Sequence, residues 1–317
     1  MNKTGTSITK AADLLNAGKL VAIPTETVYG LASNGLDETC VANIFKAKNR
    51  PAFDPMILHT DCMESMHHLL FDIPHPLAIL AEKFMPGPLS ILVEKKEAIP
   101  DITTSNLPKV AIRIPAHPMT RELLSMLDFP LAAPSANPFG YVSPTSAQHV
   151  ADQLGNEVDY ILDGGNCSVG LESTIVEYHN DQVVVLRKGG ISVEDIEKVV
   201  GPVKIQMMSS SNPKAPGMLK SHYSPRVNIR LESIEDALLE YKATEIAYIG
   251  WNRISNLIPI ENQRILSKDE DFGEAARNLF AYLREIDNMN VKIAIADLVP
   301  DIELGKAIND KLKRAAV

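Results

Sequence analysis

Short apolar runs closed by proline or glycine recur along the chain, and each is too short for a buried helix. "KLVAIP" at 19–24, "PMILHT" at 55–60, "LSILVEKK" at 89–96, "KVAIRIP" at 109–115 and "PLAAPS" at 130–135 read as buried strands. Between them lie stretches with helical spacing. "ITKAADLLNAG" places Ile8, Ala11, Ala12 and Leu15 on one face and ends at Gly18; "DETCVANIFKAK" gives a second helix, and "HPLAILAEKF" a third with Pro76 in its first turn. Further on, "SPTSAQHVADQLG" is a capped helix, "YILDGG", "STIVEY" and "QVVVLRKGG" are strands, and "SVEDIEKVVG" is a helix with a capping-box-like Ser192 and Asp195. Helices alternating with buried strands predict a mixed α/β domain with several extra strands.

The pattern stops at 209–226, where "SSSNPKAPGMLKSHYSPR" is too rich in breakers for a helix or a strand. Beyond it, "VNIRLES", "IEDALLEYK", "EIAYIGW", "GEAARNLFAYLREIDNM", "VKIAIADLV" and "GKAINDKLKRAA" repeat strand and helix three times, the signature of a small parallel sheet with covering helices. A chain of 317 residues exceeds what one core usually serves. The division expected is a domain over 1–208, a linker over 209–226 and a second domain over 227–317.

Composition narrows the function classes. A hydrophobic content of 45% with 22% charged residues is that of a globular protein. The net charge of -9 removes any general affinity for polyanions and leaves room only for a local basic groove. Cys40, Cys62 and Cys167 form no CxxC pair and no zinc spacing, which fits a reducing compartment. The first residues lack the apolar core of a signal peptide, and no apolar run approaches the roughly 18 residues that span a membrane, so a cytoplasmic protein without membrane contact is expected. No P-loop, nucleophile elbow, zinc-protease, kinase, EF-hand or GxGxxG motif is found.

Polar clusters at strand ends carry the chemistry. "PTETVYG" places Thr25, Glu26, Thr27 and Tyr29 at a strand exit, where open α/β sheets hold ligands. "KAKNRPAFDPMILH" puts Lys46, Lys48 and Arg50 at a helix end, with Arg50 fixed beside Pro51 and His59 closing the next strand. Arg113 interrupts an apolar strand and so requires an anionic partner. "APSANPFGYVSPTSAQH" supplies Ser135, Asn137, Ser143 and Thr145 around proline and glycine at a loop entering a helix, the ingredients of a phosphate cradle. Ser173 and Thr174 begin one strand and Arg187 ends another. Together they point to a site that holds two anionic groups.

In this order, "PTETVYGLA", "KAKNRP", "PGPLSILV", "VAIRIP", "PSANPFGYVSPTSAQHV", "DGG", "GLESTIVE" and "LRKGGI" resemble the YrdC/Sua5 family of threonylcarbamoyl-AMP synthases, and the added linker and tail resemble its longer Sua5 type. The resemblance implies an N-terminal YrdC-like twisted mixed sheet with helices, plus a small Rossmann-like α/β C-terminal domain. It implies a nucleotidyltransferase that makes L-threonylcarbamoyladenylate and pyrophosphate from L-threonine, bicarbonate and ATP, with Mg²⁺ on the phosphates and no dedicated metal cage in the protein. Downstream proteins would transfer the threonylcarbamoyl group to adenosine 37 of tRNAs reading ANN codons, and weak binding of tRNA or double-stranded RNA is compatible with that place.

By resemblance, Thr27, His59, Arg113, Ala133 and Ser173 line the threonine site, Arg50, Asp54, Lys109, Ser135, Ser143 and Arg187 line the ATP site, and Lys48 and Arg50 act on the transferring phosphate. The sequence departs from the family at Asp54-Pro55-Met56, where Asn-Pro-Leu is common, at Phe139, at Lys188, and at Ser224 in "HYSP". The linker is expected to fold across the site as a lid, with Tyr223 and His222 on the nucleotide. Hydrogenase-maturation carbamoyltransferases share the module but add an acylphosphatase segment and Cys-rich zinc motifs, which are absent here. A non-enzymatic RNA-binding protein of ribosome assembly would instead present a basic groove with no amino-acid dependence.

Overall fold

The computed structural model describes residues 3–206, 215–216 and 223–316. Its elements in chain order are β1 (Thr4–Gly5), α1 (Ile8–Asn16), β2 (Val21–Ile23), β3 (Gly30–Asn34), α2 (Glu38–Lys48), β4 (Ile57–His59), α3 (His75–Phe84), β5 (Leu89–Glu94), α4 (Asp101–Thr104), β6 (Lys109–Arg113), α5 (Pro118–Ser125), β7 (Leu131–Ala132), α6 (Ala147–Leu154), β8 (Tyr160–Leu162), β9 (Thr174–His179), β10 (Gln182–Arg187), α7 (Val193–Val200) and β11 (Lys204–Ile205). After the linker come β12 (Asn228–Arg230), α8 (Ile234–Ala237), β13 (Ile246–Gly250), β14 (Gln263–Ile265), α9 (Phe272–Ile286), β15 (Ile293–Ala296) and α10 (Gly305–Ala315).

The first part is one mixed sheet of order β1-β8-β2-β3-β7-β4-β6-β5-β9-β10-β11. The second is a wholly parallel sheet of order β12-β15-β13-β14. Both agree with the fold class read from the sequence. The helix starts follow from local chemistry: Ser7, Asp37, Ser146 and Ser192 each accept a backbone N–H of the first turn that would otherwise lack a partner.

Several elements differ from the sequence reading. β3 follows "PTETVY" directly and pairs antiparallel with β2, although "GLASN" has little intrinsic strand preference. Its neighbours on both sides, β2 and β7, supply the hydrogen bonds that hold it extended. The short elements β1, α4, α5, β11 and β14 also went unanticipated. The helix expected over "IEDALLEYK" closes after Ala237, and the chain continues in turns whose Leu238 and Tyr241 pack on the same apolar cluster while Leu239 is exposed. Most of the segment 209–226 lies outside the described residues.

Three packed layers position the site. Ile44, Leu58, Leu80, Ile91, Ile112 and Val176 fill one face of the large sheet. Ala11, Leu15, Ile23 and Leu123 form a second cluster. A third joins the two domains, because Val28, Val142 and Leu171 of the first sheet's loops pack with Phe280, Leu283, Ile308 and Leu312 of α9 and α10.

Polar clamps fix the same seam. Arg284 of α9 donates to the carbonyls of Val142 and Ser143 and to Gln153, and the Asp287 carboxylate accepts from Tyr141 and from the Val227 amide. At Gly170 the φ is +77° and an added Cβ would stand 2.5 Å from Arg277 Cα of α9. Only glycine permits this approach without strain.

Replacing Gly170 by alanine combines left-handed backbone strain with a backbone clash. Gly170→Ala is expected to lower the unfolding free energy by more than about 1 kcal/mol, which urea denaturation followed by circular dichroism will measure.

Candidate active site

Strand register brings the polar groups together. In the parallel pair β4–β6, His59 stands opposite Arg113, and in the antiparallel pair β4–β7, His59 stands opposite Leu131. The chain beyond β7 continues beside β3 through a bridge between Gly30 and Ser135, so Ala133, Pro134 and Ser135 pass the same corner. α2 ends with Asn49 in the left-handed conformation, and this turn aims Arg50 inward. From the other side come Ser173, just before β9, and Arg187 at the end of β10.

These groups enclose a cavity of about 50 Å³ lined by Thr25, Thr27, His59, Arg113, Ala133 and Ser135, and further by Arg50, Asp54, Glu172, Ser173, Arg187, Pro216 and Tyr223. Arg113 is held on three sides: it pairs with Glu26 and donates to Thr27 Oγ1 at 2.8 Å and to the Gly87 carbonyl at 3.1 Å. The Glu26 carboxylate also accepts the Ala116 amide at 3.0 Å. Thr27 Oγ1 lies 2.8 Å from Thr25 Oγ1, so the "PTET" turn is one hydrogen-bonded unit built around the guanidinium.

Arg50 donates to the carbonyls of Asp54 and Pro55 at 3.0 and 2.7 Å and pairs with Asp54 Oδ2 at 2.9 Å. Burial raises the pKa of Asp54, opposed by Arg50 and Lys48. Arg187 donates to the carbonyl and the hydroxyl of Ser173 at 3.0 and 2.9 Å and to the Pro216 carbonyl at 3.2 Å. Glu172 accepts from the Ser143 hydroxyl at 2.7 Å.

His59 is buried, and its pKa falls to about 3, first through desolvation and then through the charge of Arg113. It is therefore a neutral imidazole at pH 7. Its Nδ1 lies 3.3 Å from the Ile57 carbonyl, and the backbone of Leu131 also hydrogen-bonds the ring.

The residues singled out from the sequence fall in two groups. Thr27, His59, Arg113, Ala133, Ser173, Arg50, Asp54, Ser135, Arg187 and Tyr223 all line the cavity. Lys48, Lys109 and Ser143 do not. Lys48 is buried behind the wall, where its ammonium donates to the carbonyls of Ser135 and Asn137 and so braces that loop; burial, then Arg50, drives its pKa well down. Lys109 begins β6 and Arg113 ends it, roughly 13 Å apart at strand rise, and Lys109 pairs instead with Glu177 at 3.2 Å. Ser143 acts through Glu172. Glu172 itself was missed, although a carboxylate flanked by Leu171 and the "STIV" strand is a charge that burial obliges to find a partner.

Tyr223 extends the site into the linker. It is fully buried, has φ +70°, stacks on Phe280 of α9 at 5.3 Å, and faces Lys311 and Arg314 of α10 at 5.3 and 4.7 Å from the ring centre. Burial pushes its phenol pKa up. His222 lies outside the described residues.

The depressed pKa of His59 has a defined sign. Unfolded histidine binds a proton below about 6.5, while the folded residue binds one only near 3, so the unfolded state holds more protons between these values. His59 therefore removes stability as pH falls from about 6.5 towards 3, by up to ~1.4 kcal/mol per pH unit. His59→Asn is expected to flatten the stability-pH curve in that window, measured as urea midpoints at pH 7.0, 5.5 and 4.5.

Comparison with known proteins agrees with this geometry. A family model described as telomere recombination, covering Sua5, YciO and YrdC proteins, matches residues 13–189, and one described as the C-terminal domain of threonylcarbamoyl-AMP synthase matches residues 191–317. The threonylcarbamoyl-AMP synthase of Pyrococcus abyssi is 37% identical, over 96% of this chain and 93% of that protein. The Bacillus subtilis threonylcarbamoyl-AMP synthase is 36% identical, over 98% of this chain and 92% of that protein. The crystal structure of Pyrococcus abyssi Sua5 complexed with L-threonine superposes with a TM-score of 0.89 at 37% identity, covering 98% of this chain and 94% of that one. This chain belongs to the Sua5/YciO/YrdC family, in the form that carries the Sua5 C-terminal domain.

Proposed function

We propose that this protein is an L-threonylcarbamoyladenylate synthase, a nucleotidyltransferase that joins L-threonine, bicarbonate and ATP and releases pyrophosphate. The observation that carries this reading is a single small cavity with Arg113, Thr27 and His59 on one side and Arg50, Ser135 and Arg187 on the other. A guanidinium in each half suits a carboxylate in one and phosphates in the other. The similarity to a Sua5 protein crystallised with L-threonine supports the first assignment.

The residues divide the work by charge. Arg113, held rigid by Glu26, Thr27 and Gly87, receives the threonine carboxylate; Ser173 and the Ala133 backbone complete that side. His59 stands beside Arg113 on that wall as a neutral imidazole. A cationic surrounding favours the neutral amine over the ammonium, and the neutral amine attacks the bicarbonate carbon, whose hydroxide departs with the N–H proton as water to leave the carbamate. The carbamate oxygen then displaces pyrophosphate from the α-phosphorus. Arg50, Arg187 and Ser135 stabilise the negative charge that develops there, while Lys48 and Ser143 brace the wall from behind and Lys109 gives charge at the far end of β6.

Mg²⁺ fits this donor set. No group of three or more metal-ligating side chains is found among the described residues, but Asp54 lines the cavity with an oxygen, Oδ1, that has no hydrogen-bond partner. One or two carboxylates plus substrate phosphates are the usual Mg²⁺ environment, so Asp54 would hold the ion on the phosphates, where it supplies charge neutralisation. The adenylate would pass to other proteins that place the threonylcarbamoyl group on adenosine 37 of tRNA.

The test incubates the protein with ATP, Mg²⁺, bicarbonate and each amino acid, reading pyrophosphate and the adenylate by mass. Pyrophosphate is expected only with threonine and bicarbonate together, without tRNA, and with serine as a weak substrate, since one methyl group discriminates by only about 1–3 kcal/mol. Arg50→Gln is expected to cut turnover by about a hundredfold or more, whereas Arg113→Gln raises chiefly the threonine KM. Equal pyrophosphate release without amino acid overturns the assignment.

A further inference from the structure

The reaction proposed above starts from threonine as an ammonium ion and needs its neutral amine, so a group of the site has to take a proton. The described residues offer few acceptors. Burial and the charge of Arg113 bring the His59 pKa to about 3, which makes its ring a poor base. Glu26 is engaged with Arg113 and the Ala116 amide, and Asp54 is paired with Arg50 at 2.9 Å.

Glu172 is differently placed. It is 6% exposed and lines the cavity with one oxygen held and one free. Oε1 accepts the Ser143 hydroxyl at 2.7 Å, while Oε2 is buried with no hydrogen-bond partner among the described residues. A carboxylate oxygen kept from water in this way costs free energy until a donor reaches it. The backbone cannot turn it elsewhere: the Glu172 carbonyl accepts the Gly190 amide at 2.9 Å, and a Cβ at Gly189 would stand 2.2 Å from the same carbonyl oxygen. Glu172 precedes β9 and lines the cavity together with Ser173, while Arg187, from the end of β10, reaches Ser173 from the phosphate side. The charged and titratable groups that act on Glu172 are Arg187, Tyr223, and Lys311 and Arg314 of α10.

Resting on the synthase reading, we infer that Glu172 is a catalytic residue of that reaction, whose free oxygen Oε2 receives the threonine ammonium and takes one proton from it. One N–H bond breaks and one O–H bond forms, leaving a neutral amine and a carboxylic acid. Inside a dry cavity this step replaces two buried charges by two neutral groups. The amine then attacks the bicarbonate carbon, water departs, and the carbamate oxygen displaces pyrophosphate from the α-phosphorus. The proton held by Glu172 leaves on the pyrophosphate, which restores the carboxylate for the next threonine.

The test compares the full chain with Glu172→Gln, whose side-chain carbonyl can still accept from Ser143 but cannot take a proton. Turnover is read as pyrophosphate release with ATP, Mg²⁺, bicarbonate and saturating threonine between pH 7.0 and 8.5, and threonine affinity is read by calorimetry. Turnover of the variant is expected to fall by about a hundredfold or more at pH 7.0, with threonine bound within tenfold of the unmodified protein. The deficit is expected to shrink at least tenfold by pH 8.5, where hydroxide removes the proton instead. A loss of turnover below tenfold overturns the inference, as does a deficit equal at both pH values, which marks a role confined to holding the Ser143 loop. Where Glu172→Gln fails to fold, Glu172→Asp decides, since it keeps the carboxylate but draws it back by one methylene. Its deficit is expected to shrink at least fivefold over the same rise in pH, and a constant deficit overturns the inference. An unmodified protein that releases no pyrophosphate from ATP, threonine and bicarbonate sinks the synthase reading itself; an active protein whose variant keeps its turnover sinks only the role of Glu172.

Discussion

A buried cation must find negative charge, and this requirement shapes the seam between the two domains. The side chains of Arg50, Arg113 and Arg187 are withdrawn from water on the wall of one small cavity, and Lys311 and Arg314 are buried against Tyr223 of that wall. Each isolated charge of this kind would cost several kcal/mol after relaxation, so the chain surrounds them with Glu26, Asp54, Glu172 and Asp310 and with backbone carbonyls. The arrangement is stiff because Arg50, Arg113 and Arg187 are each bonded in more than one direction. It also remains tuned to anions, since the carbonyls that orient the cations do not cancel their charge.

The sheet explains how so many charges meet without disordering the fold. Parallel pairing of β4 with β6 sets His59 beside Arg113, and antiparallel pairing with β7 brings the 133–135 turn alongside. The polar groups sit at strand ends, so the apolar interior of the sheet is unbroken behind them. The loops that carry Glu172 and Ser143 are joined to each other through those two side chains and to the first sheet by backbone bonds from Tyr29 to Pro144 and from Gly190 to Glu172. They are fixed by α9, whose Arg284 binds two consecutive carbonyls and whose backbone lies against Gly170.

Much of this was legible in the sequence, for physical reasons that differ by residue. Arg113 stood out because a charge inside "VAIRIP" has to be paired, and its site on the cavity follows. Lys109, on the same strand, could not be separated from it, since a strand carries its two ends to places that only the pairing partners define. β3 was invisible because "GLASN" has no strand character until its neighbours hold it. Lys48 was read as a group acting on substrate, but its helix ends just short of the wall and the ammonium reaches backbone carbonyls instead. The burial of Lys311 and Arg314 was equally hidden. In "GKAINDKLKRAA" a cation on an amphipathic helix reads as solvated, and only the packing of α10 on Tyr223 shows otherwise.

The third apolar cluster blurs the unit of inheritance. Val28, Val142 and Leu171 belong by sequence to the first sheet, yet their covering atoms come from α9 and α10. A gene fragment ending before β12 would encode a protein with three apolar side chains bared beside the loops of its own cavity, a surface prone to self-association. The surface of the first domain is thus finished by the second.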